Sequence, residues 1–112
     1  MTEHGMRLGL GTDGIRDLWS PFGDGDLLRV AMGFVRLHGL RTDQDLTAAV
    51  RLATTEAAGF VHRERHDLVP GSPADVVLLD AENVPDALVR VPRRRLVVAG
   101  GRLVVRDGEL LI

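Results

Sequence analysis

The spacing of apolar residues changes near residue 65, and this change constrains the fold more than any other feature of the sequence. Over residues 27–60, apolar side chains recur at intervals of three and four, which is the spacing of amphipathic helices. Beyond residue 65 they stand in short continuous runs between glycine and proline, which is typical of strands joined by tight turns. The sequence therefore predicts an α+β chain divided into residues 1–65 and residues 66–112.

Two helices are expected in the first segment. Apolar residues at helical spacing predict the first over 27–38, and a second set predicts another from Leu46 to about Gly59. The candidate caps are Asp24 or Asp26 with the stop Gly39 for the first helix, and the capping box Thr42 with Asp45 for the second. Both helices should bury one face.

Strands are expected before and after these helices. Residues 6–10 read as a short strand that runs into a glycine-rich turn, and residues 74–79, apolar except for Asp75, read as another strand. The runs 96–99 and 103–105 flank Gly100-Gly101, and Asp107-Gly108 follows them; both pairs favour two-residue hairpin turns. The three apolar residues that end the chain predict a last strand that packs.

Charge and composition argue against several classes of partner. Fourteen Lys and Arg against sixteen Asp and Glu give a net charge of -2, with both signs scattered along the chain. The one basic cluster, Arg93-Arg94-Arg95, is read as solvated surface, so neither nucleic acid nor membrane is expected as a partner. Cysteine is absent, which excludes disulfides and thiolate metal sites. No signal-peptide pattern is present, and a cytoplasmic location is expected.

Asp13 is the candidate catalytic residue. It stands in the turn Gly11-Thr12-Asp13-Gly14, just past a predicted strand, where barrel enzymes place their active sites. A carboxylate there can ligate a divalent metal and accept a proton from water. The alternative is an ordinary turn residue that caps local amides, and the sequence favours neither.

Two further patterns are weaker evidence for a functional site. Gly9 to Gly14 matches G-x-G-x-x-G, but a dinucleotide site needs a helix to begin within the motif, and a proline-containing loop follows instead. His62 and His66 stand four apart, yet an arginine occupies the position of the general base in zinc proteases, so solvated surface is the better interpretation.

Three segments, in order, resemble cytosine-deaminase-like members of the metal-dependent amidohydrolases. Gly11-Thr12-Asp13-Gly14, with Trp19 a few residues on, resembles the loop after the eighth barrel strand. Pro70-Gly71-Ser72-Pro73-Ala74-Asp75 and the apolar run behind it resemble the entry to the small β-sandwich. Residues 96–105 are similar to the closing hairpin of that sandwich.

The resemblance implies the last strand and following helices of a TIM (β/α)8 barrel, plus C-terminal strands of the β-sandwich. It also implies a zinc or iron ion, with Asp13 as metal ligand and proton shuttle and Trp19 in the substrate pocket. The substrate class would be a small amine or nucleobase-like molecule. Gly14 stands where cytosine deaminases often carry a second acidic residue, which leaves the substrate open.

The family's histidine ligands and its acid/base glutamate cannot be placed in this chain, and a barrel needs about 200 residues or more. The leading hypothesis is therefore the C-terminal part of a hydrolase of non-peptide C–N bonds, inactive as an isolated chain. The alternative is a non-catalytic interaction or scaffold module. A lone barrel strand over residues 6–10 would leave two unpaired edges, which predicts that the isolated chain self-associates or is only partly ordered. The expected partners are thus a second copy of the chain or a missing N-terminal half.

Overall fold

The computed structural model describes residues 5–16, 18, 23–63 and 67–111 of the chain. Four helices and a four-stranded antiparallel sheet lie in these ranges. The helices are α1 (Leu27–Leu37), α2 (Asp43–Ala53), α3 (Thr55–Phe60) and α4 (Val84–Arg90). The strands are β1 (Val76–Leu79), β2 (Arg94–Ala99), β3 (Arg102–Arg106) and β4 (Glu109–Leu110).

Helix α1 confirms the predicted helix and its caps. The Asp26 carboxylate accepts a hydrogen bond from the Leu28 amide at the N-terminus. At the other end Gly39 has φ +66°, a left-handed conformation that glycine adopts without a Cβ clash. Because Ala31 and Val35 lie four apart, both face the core.

The prediction of a single helix from Leu46 to Gly59 is wrong, because the helix is interrupted at Thr54. Helix α2 begins as expected, with the Thr42 hydroxyl accepting from the Asp45 amide at 3.1 Å. The Thr54 hydroxyl donates to the Val50 carbonyl at 2.9 Å, and the Thr54 backbone leaves helical geometry with φ -119° and ψ -86°. A side chain that occupies a carbonyl four residues back commonly bends a helix. Helix α3 then begins at Thr55.

The strand predicted over residues 6–10 is also wrong for this chain. No strand is formed there, and the segment bonds to the helices through the Leu10 amide, which donates to the Leu52 carbonyl at 2.9 Å. A strand exists only through a neighbouring strand. The four strands of the sheet all come from residues 76–110, so none is available beside residues 6–10.

The second segment is not all strand, because α4 lies between β1 and β2. The Asn83 side chain accepts a hydrogen bond from the Asp86 amide at 2.8 Å and caps the helix, with Pro85 in its first turn. Arg90 then donates to both carboxylate oxygens of Asp86, at 2.8 and 2.7 Å, and to the Asp80 carbonyl at 2.6 Å. These bonds tie α4 to the end of β1.

The sheet follows the predicted hairpins. Its order is β1-β2-β3-β4, each strand antiparallel to the next. Gly100 and Gly101 have φ +57° and +79°, and Asp107 and Gly108 have +51° and +81°, as the mirror-image hairpin turns require. The last strand is short, and Leu110 and Leu111 remain 67% and 50% exposed, so the packed C-terminal strand is wrong; Ile112 lies outside the described residues.

The core lies where α4 meets α1 and α2. Leu88 of α4 is fully buried in one cluster with Ala31 and Ala49. The buried apolar residues among those described are Ala31, Val35, Leu46, Ala49, Leu52, Ala53, Ala87 and Leu88. None of the helices in the described ranges has both the length and the apolar character needed to cross a bilayer.

The chain exposes more surface than a compact protein of its size. Its accessible surface is 8530 Å², whereas a compact monomer of this mass exposes about 6,100 Å². Its radius of gyration is 14.7 Å, against about 13 Å for a compact domain of this length. Part of the excess is apolar, including Phe60 and Val77, which are 57% and 52% exposed.

Candidate functional site

The candidate site is built around the turn that carries Asp13. Asp13 has φ +56° and is exposed. Aspartate tolerates this left-handed region better than most residues, although any side chain there costs about 1–2 kcal/mol. Such strain is common at functional positions and also occurs in ordinary turns. The turn thus presents a free carboxylate at the surface, where it can accept a proton or ligate a cation.

The segment before Asp13 is held by close packing on α3. A Cβ added at Gly9 would lie 3.0 Å from the Phe60 ring and 3.3 Å from the Ala57 Cα, so only glycine fits this contact without a shift. The guanidinium of Arg7 lies over the Phe60 ring, 5.7 Å from its centroid, in a cation–π contact. The Leu10 amide adds its bond to Leu52. Three contacts therefore fix the direction in which the chain enters the Asp13 turn.

An open, mainly apolar groove of about 690 Å³ lies beside this segment. It is lined by Gly9–Thr12 on one side and by residues of α2 and α3 on the other, including Ala57 and Phe60. A smaller cavity of about 130 Å³ lies next to Gly14 and Asp24. Thr12 lines both cavities, so the turn sits between them.

The return end of the Asp13 loop is organised by two carboxylates. Asp24 accepts hydrogen bonds from the Asp26 amide at 3.0 Å and from the Arg29 Nε at 3.2 Å. The hydrogen bond from the Asp26 amide, together with Arg29, holds the pKa of Asp24 below its ordinary value. Asp26 caps α1 and also accepts two hydrogen bonds from Arg94 of β2, at 2.9 and 2.6 Å.

Arg94 corrects one expectation from the sequence. The pattern Arg93-Arg94-Arg95 is typical of solvated surface, but the Arg94 side chain is only 28% exposed and forms a bidentate pair with Asp26. Its two neighbours do remain exposed. The sequence offered no indication of this pair, because its members stand 68 positions apart.

Only some of the other residues singled out from the sequence lie within the described ranges. Trp19 and His66 lie outside the described residues. His62 is exposed at the end of α3 with φ +60°, and the His38 ring lies 4.6 Å from that of Phe34 at the end of α1. The first described helix after the G-x-G-x-x-G pattern begins only at Leu27, so the described residues do not form the strand-to-helix turn of a dinucleotide site.

The donor set of the described residues does not fit a complete metal centre. Within residues 5–16, 18, 23–63 and 67–111, no three His, Cys, Asp or Glu side chains gather closely enough to hold an ion. Catalytic metal sites need about three protein ligands. The described residues thus form no complete metal site around Asp13, and by themselves they support no metal-dependent step.

Residues 1–112 match the amidohydrolase family over their full length, and the chain belongs to that family. This confirms the resemblance seen in the three sequence segments.

Three proteins of known name are similar to the chain in sequence or structure. The chain is 32% identical over 108 residues to N-isopropylammelide isopropyl amidohydrolase of Pseudomonas sp. strain ADP, a match that covers 96% of this chain and 27% of that enzyme. The structure of N-isopropylammelide isopropylaminohydrolase from Burkholderia multivorans superposes with a TM-score of 0.91 at 40% identity, over 96% of this chain and 27% of that one. The 5-methylcytosine deaminase of Klebsiella pneumoniae, bound to 5-fluorocytosine, gives 0.83 at 26% identity, over 96% and 26%. The chain thus spans about a quarter of the length of these proteins.

Proposed function

We propose that the chain is the C-terminal part of a hydrolase of non-peptide C–N bonds, and that it contributes Asp13 to an active site completed by other polypeptide. The observation that carries this proposal is the match to the amidohydrolase family over all 112 residues together with the share of the relatives that the chain spans, about a quarter. A chain of this length therefore corresponds to only about a quarter of such an enzyme.

The surface of the chain supports the same conclusion. Its accessible area exceeds that of a compact monomer by about 2,400 Å², and the uncovered part includes the groove beside the Asp13 turn. A stable protein interface buries roughly 600–1,000 Å² on each partner. The excess on this one chain is larger than that, so a further part of the enzyme has ample surface to cover.

Asp13 has the chemistry for the proposed reaction. When water attacks the carbon of a C–N bond, a base must take a proton from the water, and the departing nitrogen must receive one. A single carboxylate can do both in sequence, accepting the proton and then delivering it to the amine as the bond breaks. Asp13 is exposed, and it follows Thr12, which lines the groove, although Asp13 itself is not one of the lining residues.

Small nitrogenous molecules are the proposed substrate class. The relatives are named for N-isopropylammelide and 5-methylcytosine, which both carry an amine on a ring carbon. A zinc or iron ion is proposed as the cofactor of the completed enzyme, with Asp13 as one of its ligands and Trp19 beside the substrate.

The proposal is tested with a chimera. In the Burkholderia multivorans enzyme, the quarter that aligns with this chain is replaced by residues 1–112, and release of isopropylamine is measured. The proposal expects turnover by the chimera, and none by residues 1–112 alone with zinc or iron added. A folded chimera without turnover would contradict the catalytic contribution, and turnover by the isolated chain would contradict its dependence on other polypeptide.

A further inference from the structure

The bidentate pair between Arg94 and Asp26 joins the sheet to the helical layer. The Arg94 Nη1 and Nη2 donate to the two carboxylate oxygens of Asp26 at 2.9 and 2.6 Å, and the side chains are 28% and 17% exposed. An exposed ion pair joined by one hydrogen bond contributes little to stability. A shielded bidentate pair of a planar guanidinium and a carboxylate also fixes the relative orientation of the two side chains. The start of β2 therefore holds Asp26 in one orientation.

The carboxylate of Asp26 has a second role at the same time. Its Oδ1 accepts from the Leu28 amide at 3.0 Å, and its carbonyl accepts from the Val30 amide at 3.1 Å. The Asp26 amide donates to the Asp24 carboxylate. Arg94 thus holds the residue at which the loop ends and α1 begins.

The same end of the loop packs against the residues that follow Asp13. A Cβ added at Gly25 would lie 3.3 Å from the Ile15 Cδ1, and one added at Gly23 would lie 3.6 Å from the Gly14 carbonyl oxygen. Gly14 and Ile15 are the next two residues after Asp13. Any displacement of residues 23–26 therefore reaches Asp13 through one layer of contacts.

We infer that Arg94 is a positioning residue for Asp13, which it holds through Asp26 and the contact of residues 23–25 with Gly14 and Ile15. The functional meaning of this inference rests on the proposed role of Asp13. The mechanical link does not, because it consists only of contacts within this chain.

The link is tested by ¹⁵N relaxation on the whole chain without substrate or metal. Arg94→Gln removes the guanidinium, and Asp26→Asn breaks the ion pair but keeps an oxygen that can cap α1. Arg95→Gln is the matched control, because Arg95 is adjacent and carries the same charge. Its own ion pair is long and exposed, with 4.0 Å between the Arg95 Nε and the Asp107 Oδ1. Order parameters describe the folded state, so a merely less stable variant does not change them.

The expected result is a fall of the Gly14 and Ile15 amide order parameters from about 0.85 to below about 0.6 in both Arg94→Gln and Asp26→Asn, with Arg95→Gln unchanged. Values in the β2–β3 hairpin should stay constant. If Arg94→Gln fails to fold, Asp26→Asn alone decides. Unchanged order parameters at Gly14 and Ile15 would overturn the inference, as would a wild-type chain already mobile there. An inactive chimera would leave this result untouched and sink only the proposed function.

Discussion

The Asp75 carboxylate accepts a hydrogen bond from the Gly100 amide at 2.7 Å, across 25 positions of the chain. The neighbouring Ala74 carbonyl accepts from the Gly101 amide at 3.0 Å. The Ala74-Asp75 pair, which belongs to the segment resembling the sandwich entry of amidohydrolases, therefore binds both amides of the β2–β3 turn. In this chain the motif holds a hairpin, and its acidic residue needs no catalytic role.

Asp75→Ala should lower the free energy of unfolding by about 1 kcal/mol, because an amide-to-carboxylate bond is lost at an exposed site. Asp75→Asn keeps an acceptor oxygen and should lose less. Urea titration followed by circular dichroism measures both. Equal stability of Asp75→Ala and the wild-type chain would contradict the hairpin role.

Leu88→Ala should destabilise the chain by about 2–5 kcal/mol, since it empties a fully buried position in the core shared by α1, α2 and α4. The adjacent Val89 is 61% exposed, and Val89→Ala serves as the control with little expected loss. The same urea titration compares the two. A loss below about 1 kcal/mol for Leu88→Ala would mean that α4 does not pack on the other helices.

The carboxyl of Asp86 should make stability depend on pH in the acid range. Hydrogen bonds from Arg90 and then from the Glu82 amide lower its pKa from 3.8 to about 2. As pH falls, the unfolded chain takes up this proton first, so the contribution of Asp86 is present above pH 3.8 and is lost towards about pH 2. The Tm difference between the wild-type chain and Asp86→Asn should therefore shrink over this interval.

Arg90→Gln provides the check on this assignment, because Arg90 is the largest cause of the lowered pKa. The Tm difference between Arg90→Gln and the double variant Arg90→Gln/Asp86→Asn should therefore change less with pH than the difference between the wild-type chain and Asp86→Asn. A difference that stays constant from neutral pH down to about pH 2 would contradict the account of the pair.

Gly9→Ala should disturb the support of the Asp13 turn, because its new methyl would lie 3.0 Å from the Phe60 ring and 3.3 Å from the Ala57 backbone. Overpacking of this kind costs about 1–3 kcal/mol, and the exposed ring can yield part of the space. In a Phe60→Ala background the penalty should fall. A penalty of the same size in both backgrounds would place its cause elsewhere.

Local chemistry explains which elements were predictable. Helix α1 was predictable because the signals that specify it are local. Its apolar periodicity lies directly between its N-cap Asp26 and its stop Gly39. The hairpins were predictable for the same reason, since the pairs Gly100-Gly101 and Asp107-Gly108 specify their turns. Helix α4 was missed although Asn83 and Pro85 mark its start, because seven residues are too few for a clear apolar period.

Two predictions failed because they depend on contacts between residues far apart in the sequence. Residues 6–10 have the composition of a strand, but a strand needs a partner, and here the segment lies on α3 instead. The pairing of Arg94 with Asp26 depends on how the sheet docks on the helices. For the site, the sequence could indicate the residue type and the turn at Asp13. The contacts that support the turn join residues that are not neighbours in sequence, such as Gly25 with Ile15 and Gly9 with Phe60.

The catalytic role of Asp13 is tested most directly in the chimera with the Burkholderia multivorans enzyme. Asp13→Asn keeps the size of the side chain and its tolerance of φ +56°, and removes the base. Asp107→Asn is the matched control, because Asp107 is also an exposed turn aspartate, with φ +51°. The account predicts that Asp13→Asn lowers kcat by at least about 100-fold, the usual contribution of a positioned base, while Asp107→Asn stays within about twofold. Equal turnover by the Asp13→Asn and Asp107→Asn chimeras would contradict it and would favour a scaffold role for the chain.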